Sequence, residues 1–292
     1  ARLKEIGGTV FTGCGNLKSI CIPKSLQSAG TYTSFQYGAF YNSGLETATF
    51  EEGTTCVVAN LFRSADKLNS VTLLDTMTSV GANAFEDCAA LTELQVPDSV
   101  TSIGGYAFRN SGLRSFHLSS SVTELGVNIF ERCKVLTEVT WDSPYPQIPE
   151  HMFTDCTALK TFDIPKTVTS VGFCAFYNCT ALTTVTGGQN VEWLGDSAFY
   201  QCSSLKEIAI SPVLTTIGLK TFQDCTSLTA IVLPDSLSRI DPYAFDGCAA
   251  LREVRLGNSL TAIPDRAFSN CGALESIILP YRVESVGPNA FL

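Results

Sequence analysis

Cysteine and histidine are the side chains best suited to nucleophilic, metal-binding and acid–base chemistry. This chain of 292 residues carries twelve of the first and two of the second. Structural zinc and redox motifs need close pairs such as Cys-x-x-Cys, and no such pair occurs. Nine of the twelve cysteines, from Cys14 to Cys271, instead stand three residues after a phenylalanine. Ser43, Ala65 and Ser111 occupy the same place elsewhere. A position that accepts Cys, Ser or Ala calls for a small buried side chain, so the spacing predicts core thiols. Stacking in register also opposes disulfides: neighbouring strands lie about 4.8 Å apart, with Cβ atoms nearly as far, where a disulfide wants about 3.8 Å.

The histidines offer little more. His117 falls at an outward strand position, with Thr140 and Asp163 at the matching places of the next two segments. A His–Asp pair two strands apart would be separated by about 10 Å, beyond the hydrogen bond that orients a general base. His151 precedes Met152-Phe153 in a turn. Both are expected to be solvated. The sequence shows no glycine-rich phosphate loop, no Gly-x-Ser-x-Gly elbow and no paired-carboxylate cluster, so no catalytic, cofactor or metal site is expected. Asn178-Cys179-Thr180 fits a glycosylation sequon, although Cys179 falls on a predicted core position.

The elements that position these residues follow one clock. Thirteen of eighteen phenylalanines, from Phe11 through Phe40, Phe62 and Phe85 to Phe291, are spaced by nine intervals of 23 residues, two of 22 and one of 29. A period in the twenties marks one supersecondary unit stacked many times. Five residues before each phenylalanine the side chain is apolar, Ile6, Phe35 and Val57 being the first three. Four before, it is usually glycine, as at Gly81, Gly104 and Gly195, implying positive φ or close backbone approach; Pro149 and Pro264 at that place show that positive φ is not general. Five or six after comes a leucine, opening Leu-x-x-apolar-x-apolar and often a proline, as in Leu159, Phe162, Ile164 and Pro165. Alternation with a closing proline reads as a strand buried on one face.

Composition agrees. Apolar residues make up 45% and charged residues 16%, a balance that a stack of turns can bury. A net charge of −9 argues against binding a phosphate backbone, and no run of 18 apolar residues could form a transmembrane helix. Both ends fall within repeats, so the segment is expected to be an excerpt or processed piece forming a single solenoid domain over residues 1–292.

The unit from Leu91 to Phe108, with Ser99-Val-Thr-Ser-Ile-Gly104 followed by Ala107-Phe108, closely resembles the BspA-like leucine-rich repeat, and the resemblance covers the whole chain. It implies an α/β solenoid: right-handed, about twelve to thirteen rungs, a parallel strand per repeat on the concave face, and short extended and helical or 3₁₀ turns elsewhere. It also implies a non-enzymatic adhesion or protein-binding role of a cell-surface or secreted protein toward a host or neighbouring-cell protein; no cofactor, nucleic acid or membrane insertion is expected of this segment. A structural spacer or scaffold within a larger assembly is the rival reading.

Departures from the clock are where function would lie. Six extra residues enter between Pro23 and Tyr32; Tyr32 and Tyr145 take places held elsewhere by Val or Leu and are expected in the core. Trp141 takes the last buried strand position, and Trp193 an outward one. The outward strand positions form the candidate protein-binding face: Glu93, Gln95, His117, Glu138, Thr140, Asp163, Thr184 and Thr186. The face is small and polar, with few of the aromatic or arginine anchors that dominate interfaces.

Overall fold

The computed structural model describes residues 2–30 and 37–292, so Tyr32 and Phe35 lie outside the described residues. The chain divides into two compact units, Ala1–Tyr145 and Pro146–Leu292. Each is a stack of turns whose strands are parallel and in register with those of neighbouring turns.

Two strand positions recur in each turn. The longer strands follow the repeat leucine. In the first unit Ser19–Ile22, Thr47–Phe50 and Ser70–Val71 form one sheet, and Ser115–Leu118 pairs with Glu138–Trp141. In the second, Thr161–Ile164, Thr184–Gly187 and Glu207–Ile208 form one sheet, and Ala230–Val232 pairs with Glu253–Arg255. Burial alternates along them, exposed then buried, as in Thr161-Phe162-Asp163-Ile164. The shorter, two-residue strands end on the apolar residue before the glycine; Cys56–Val57, Ser79–Val80, Ser102–Ile103 and Glu124–Leu125 form one such sheet.

Not every repeat supplies the expected long strand. Glu93 to Val96 is extended chain outside any ladder, and Ile278 makes only an isolated bridge to Arg255. The long interval also sits differently from expectation. Glu5 pairs with Ser28 and Ile6 with Ala29, 23 residues apart. The repeat therefore stays in phase as far as Ala29, so the extra residues do not enter between Pro23 and Ala29.

The helical or 3₁₀ turn is also corrected, for no helix occurs among the described residues. The reason is a pair of left-handed residues two before and two after the phenylalanine, such as Asn83 (φ 54°) and Asp87 (φ 60°), or Ser197 (φ 56°) and Gln201 (φ 58°). They interrupt the run of right-handed residues that a helix requires. The N–H groups along this segment alternate instead. Asn83, Phe85 and Asp87 donate to Gly105, Ala107 and Arg109 of the next turn, while Ala84, Glu86 and Cys88 donate three residues back. The turn side is thus a third interturn ladder, and its regular bonding offsets the strain of non-glycine residues at positive φ.

The glycines four before phenylalanine serve close approach. Gly81 and Gly195 do not take positive φ; a Cβ on Gly81 would sit 2.5 Å from the Ala59 nitrogen, and one on Gly195 would sit 2.8 Å from the Gly172 carbonyl carbon.

The core is a phenylalanine column in each unit. Rings from Phe62 to Phe85 and Phe108 stack with centroids 5.5 and 5.7 Å apart, and those from Phe176 to Phe199 and Phe222 at 5.1 and 5.4 Å. Phe40 through Phe130 and Phe153 through Phe245 are fully buried. Removing one such ring costs about 3–5 kcal/mol.

Candidate functional site

The thiols belong to this core. Cys88, Cys179, Cys202, Cys225 and Cys248 are buried and form no disulfide. Each donates its S–H to the carbonyl of a phenylalanine in the preceding turn: Cys88 to Phe62 at 3.1 Å, Cys202 to Phe176 at 3.1 Å and Cys225 to Phe199 at 3.2 Å. The same carbonyl also accepts a backbone N–H three residues on, so the thiol fills its second lone pair. Burial pushes the thiols of Cys88, Cys179, Cys225 and Cys248 up, and likewise Cys133 to about 11 and Cys271 to about 12; protonated, they are poor nucleophiles and poor ligands. Cys14 departs from the expected core role and is exposed. The sequon is also unfavourable: Asn178 Nδ2 donates to Asp155 Oδ1 at 2.7 Å, and Cys179 is fully buried.

The predicted face falls into two groups. In the first unit, Glu93, Gln95, His117, Glu138 and Thr140 line one shallow depression of about 250 Å³ with Ser115 and Phe116. Its floor lies beside the extended Glu93–Val96 stretch that joins no ladder. Strand register sets Glu138 beside Ser115 and Thr140 beside His117. His117 Nδ1 bonds Thr140 Oγ1 at 2.8 Å, as adjacency in the sequence pattern suggests. The sequence reading missed the acid partner: His117 Nε2 lies 3.8 Å from Asp142 Oδ2, one turn on and just past the strand end. Both side chains are more than half exposed, so water screens the pair and the site lacks the exclusion that acid–base catalysis exploits.

In the second unit, Asp163 faces Thr186 in register and accepts a hydrogen bond from its Oγ1 at 2.6 Å, while Thr184 pairs with Thr161. Farther along this face the chemistry changes. Register aligns Val232 with Arg255, and Arg255 bridges to Ile278, so these outward side chains form one row. Val232 is 54% exposed and Ile278 is 85% exposed. Arg255 and Ile278, with Asp235, Arg252, Glu253 and Asn258, line a depression of about 420 Å³. The signal was in the sequence: the Thr and Glu of outward positions give way to Val232 and Ile278, a break that periodicity alone does not flag as a site.

The aromatic outliers are as follows. Trp141 is buried and its Nε1 donates to the Ser143 carbonyl at 3.1 Å. Trp193 is outward and 38% exposed. Tyr145 is half-buried rather than core. His151 sits edge-on to Phe173, ring centroids 5.0 Å apart. Among the described residues no group of three His, Cys, Asp or Glu is placed to hold a metal ion, and no helix is long and apolar enough to cross a membrane.

Comparison with known proteins covers the whole chain. The BspA type leucine rich repeat region matches in six copies over residues 1–36, 33–160, 133–226 and 215–292. A search of curated proteins returns no match. Among solved structures the chain is similar to a leucine-rich repeat protein from Bacteroides ovatus, at 22% identity over 94% of this chain and 84% of that one, TM-score 0.61. It is also similar to a leucine rich cell surface protein from Faecalibacterium prausnitzii, at 25% identity over 97% and 82%, TM-score 0.56. A leucine-rich repeat protein from Eubacterium ventriosum matches at 22% identity over 85% and 82%, TM-score 0.54.

Proposed function

The chain belongs to the BspA-type leucine-rich-repeat family, and from that premise we propose that it is a non-enzymatic protein-binding module whose strand face contacts a partner at a cell surface. The carrying observation is the exposed Val232–Arg255–Ile278 row beside its depression. An arginine is a frequent energetic anchor of a protein interface, and apolar side chains beside it suit the interface's buried core. In the same unit the polar groups of Asp163, Thr184 and Thr186 suit a rim that sets orientation more than affinity, and in the first unit Glu93, Gln95, His117, Glu138 and Thr140 line a polar depression of their own. The surface location draws on the relative from Faecalibacterium prausnitzii, described as a cell surface protein.

Surface plasmon resonance against a panel of extracellular matrix proteins tests the reading. Val232→Asp with Ile278→Asp should weaken any binding by at least about tenfold, in keeping with loss of an interface centre. Changing Glu93, Gln95, Glu138, Thr140 and Asp163 together should alter the salt dependence and on-rate instead. Binding indifferent to both sets would sink the strand-face reading, and no binding at all would favour the spacer.

A further inference from the structure

On the turn side of the first unit the clock is broken at one place. One residue after the phenylalanine, successive turns carry Tyr41, Arg63, Glu86 and Arg109. Tyr41 stacks on Tyr37 with centroids 3.9 Å apart and planes 16° from parallel. The pair walls an open depression of about 330 Å³. Its floor is the left-handed column two residues after each phenylalanine: Asn42, Ser64, Asp87 and Asn110. The Asp87 carboxylate is fixed there, accepting from Ser64 Oγ at 3.3 Å and Asn110 Nδ2 at 2.8 Å. Asp66 adds a second carboxylate at a place where the turns on either side carry Gly44 and Ala89. Among the described residues no lysine, arginine or histidine lines the depression. The Tyr41 hydroxyl pKa is raised, by Tyr37 first and by Asp66 among lesser causes.

These groups share one preference. Tyrosine ring faces attract a cation held within about 6 Å, two carboxylates repel anions, and an uncharged apolar group would strip water from the acids without replacing their partners. The floor adds side-chain oxygens able to accept from N–H donors. We propose that this depression binds an organic cation with N–H donors, a guanidinium or primary ammonium head group. It stands on a different side of the turn from the strand face, and neither reading depends on the other.

The test is amide-resolved NMR of the intact chain, following the side-chain NH₂ signals of Asn42 and Asn110. Nα-acetyl-arginine amide represents a side chain of a protein partner, and spermidine a free polyamine; the tighter of the two names the source. Nα-acetyl-citrulline amide is the uncharged isostere. Saturable shifts with a cation, at least about fivefold weaker for citrulline and lost in Tyr41→Ala/Asp66→Asn, support the site; one exposed cation–π contact alone is worth two- to fivefold. Tyr41→Phe, which keeps the ring, should retain binding and guards against a variant that misfolds. Equal response to arginine and citrulline probes, or unchanged shifts in the folded double variant, would overturn the proposal.

Discussion

The column next to the phenylalanines is built from different chemistry in the two units. In the first it is a ladder of alternating charge. Arg63 Nε lies 2.7 Å from Glu86 Oε2, Glu86 Oε1 accepts from Arg109 Nη1 at 2.8 Å, and Arg109 Nε lies 3.2 Å from Glu131 Oε2. Two of these contacts are close but lie off the N–H axis, so they act as ion contacts rather than full hydrogen bonds. In the second unit the column holds Tyr177 stacked on Tyr200 at 4.9 Å, then Gln223 donating to Asp246 at 3.1 Å. The backbone is the same in both. The repeat therefore fixes the buried phenylalanine and the left-handed residues, while the neighbouring column needs only side chains that interact with copies one turn away.

The thiols sharpen the contrast most. Burial is the leading cause that raises Cys88 and Cys133 in the first unit, and Cys174, Cys179, Cys225, Cys248 and Cys271 in the second. In the unfolded chain a thiol ionises near 8.5. The folded pKa is higher, so the stabilisation is complete below that value and declines as pH rises toward the folded pKa. Over that window each thiol lowers stability by up to about 1.4 kcal/mol per pH unit. Five shifted thiols against two predict that the second unit is the more alkali-labile. Peptide-resolved hydrogen exchange between pH 8 and 10.5, corrected for intrinsic rates, should show its protection falling first. Equal loss in both units would mean that the thiols ionise in place.

Glu86→Ala attacks the charge ladder itself. Glu86 is 2% exposed and serves two arginines. Burial opposes the Arg109 charge, yet Glu86 and Glu131 outweigh it and hold the guanidinium pKa above its usual value. Removing one partner of a buried pair costs about 3–5 kcal/mol. Here the arginines keep about a quarter of their exposure, so a loss near the lower bound, about 3 kcal/mol, is expected in urea unfolding of the first unit. The loss should shrink in 1 M salt. A change under about 1 kcal/mol would show the ladder to be ornament on a stack held by phenylalanine alone.

Much of this was legible in the sequence, for a physical reason. Phe85, Leu91, Leu94 and Gly81 answer to one period because each occupies the same place in every turn, so burial and strand position could be read from phase. The turn side could not. Asn, Asp and Gln fit the left-handed places two after the phenylalanine, but Arg132, and Lys220 and Tyr243 two before it, also take positive φ. Residue type carried too weak a signal against the expected helical turn. The candidate face was legible as a set of outward positions. The His117–Asp142 contact was not, because it depends on a neighbour across turns rather than on a residue's own phase; Val232, Arg255 and Ile278 were legible as outward positions, though phase alone did not mark them as a site.

The smallest effect tests whether the second unit's column is a true counterpart of the ladder. Tyr177 and Tyr200 lie 10° from parallel, both half-buried, and burial raises each hydroxyl pKa. A stacked aromatic pair adds about 0.5–1.5 kcal/mol beyond burial. Tyr200→Ala should therefore destabilise the second unit by about 1–2 kcal/mol, and Tyr200→Phe by much less, because the ring rather than the hydroxyl makes the contact. A double-mutant cycle with Tyr177→Ala should give a coupling of about 0.5–1 kcal/mol, unchanged in 1 M salt. That insensitivity separates the two columns: a stack of quadrupoles has no net charge to screen, whereas the Arg63–Glu86–Arg109 contacts do. A coupling that fades with salt, or that vanishes, would leave the tyrosines as two independent side chains that add no coupling of their own between turns.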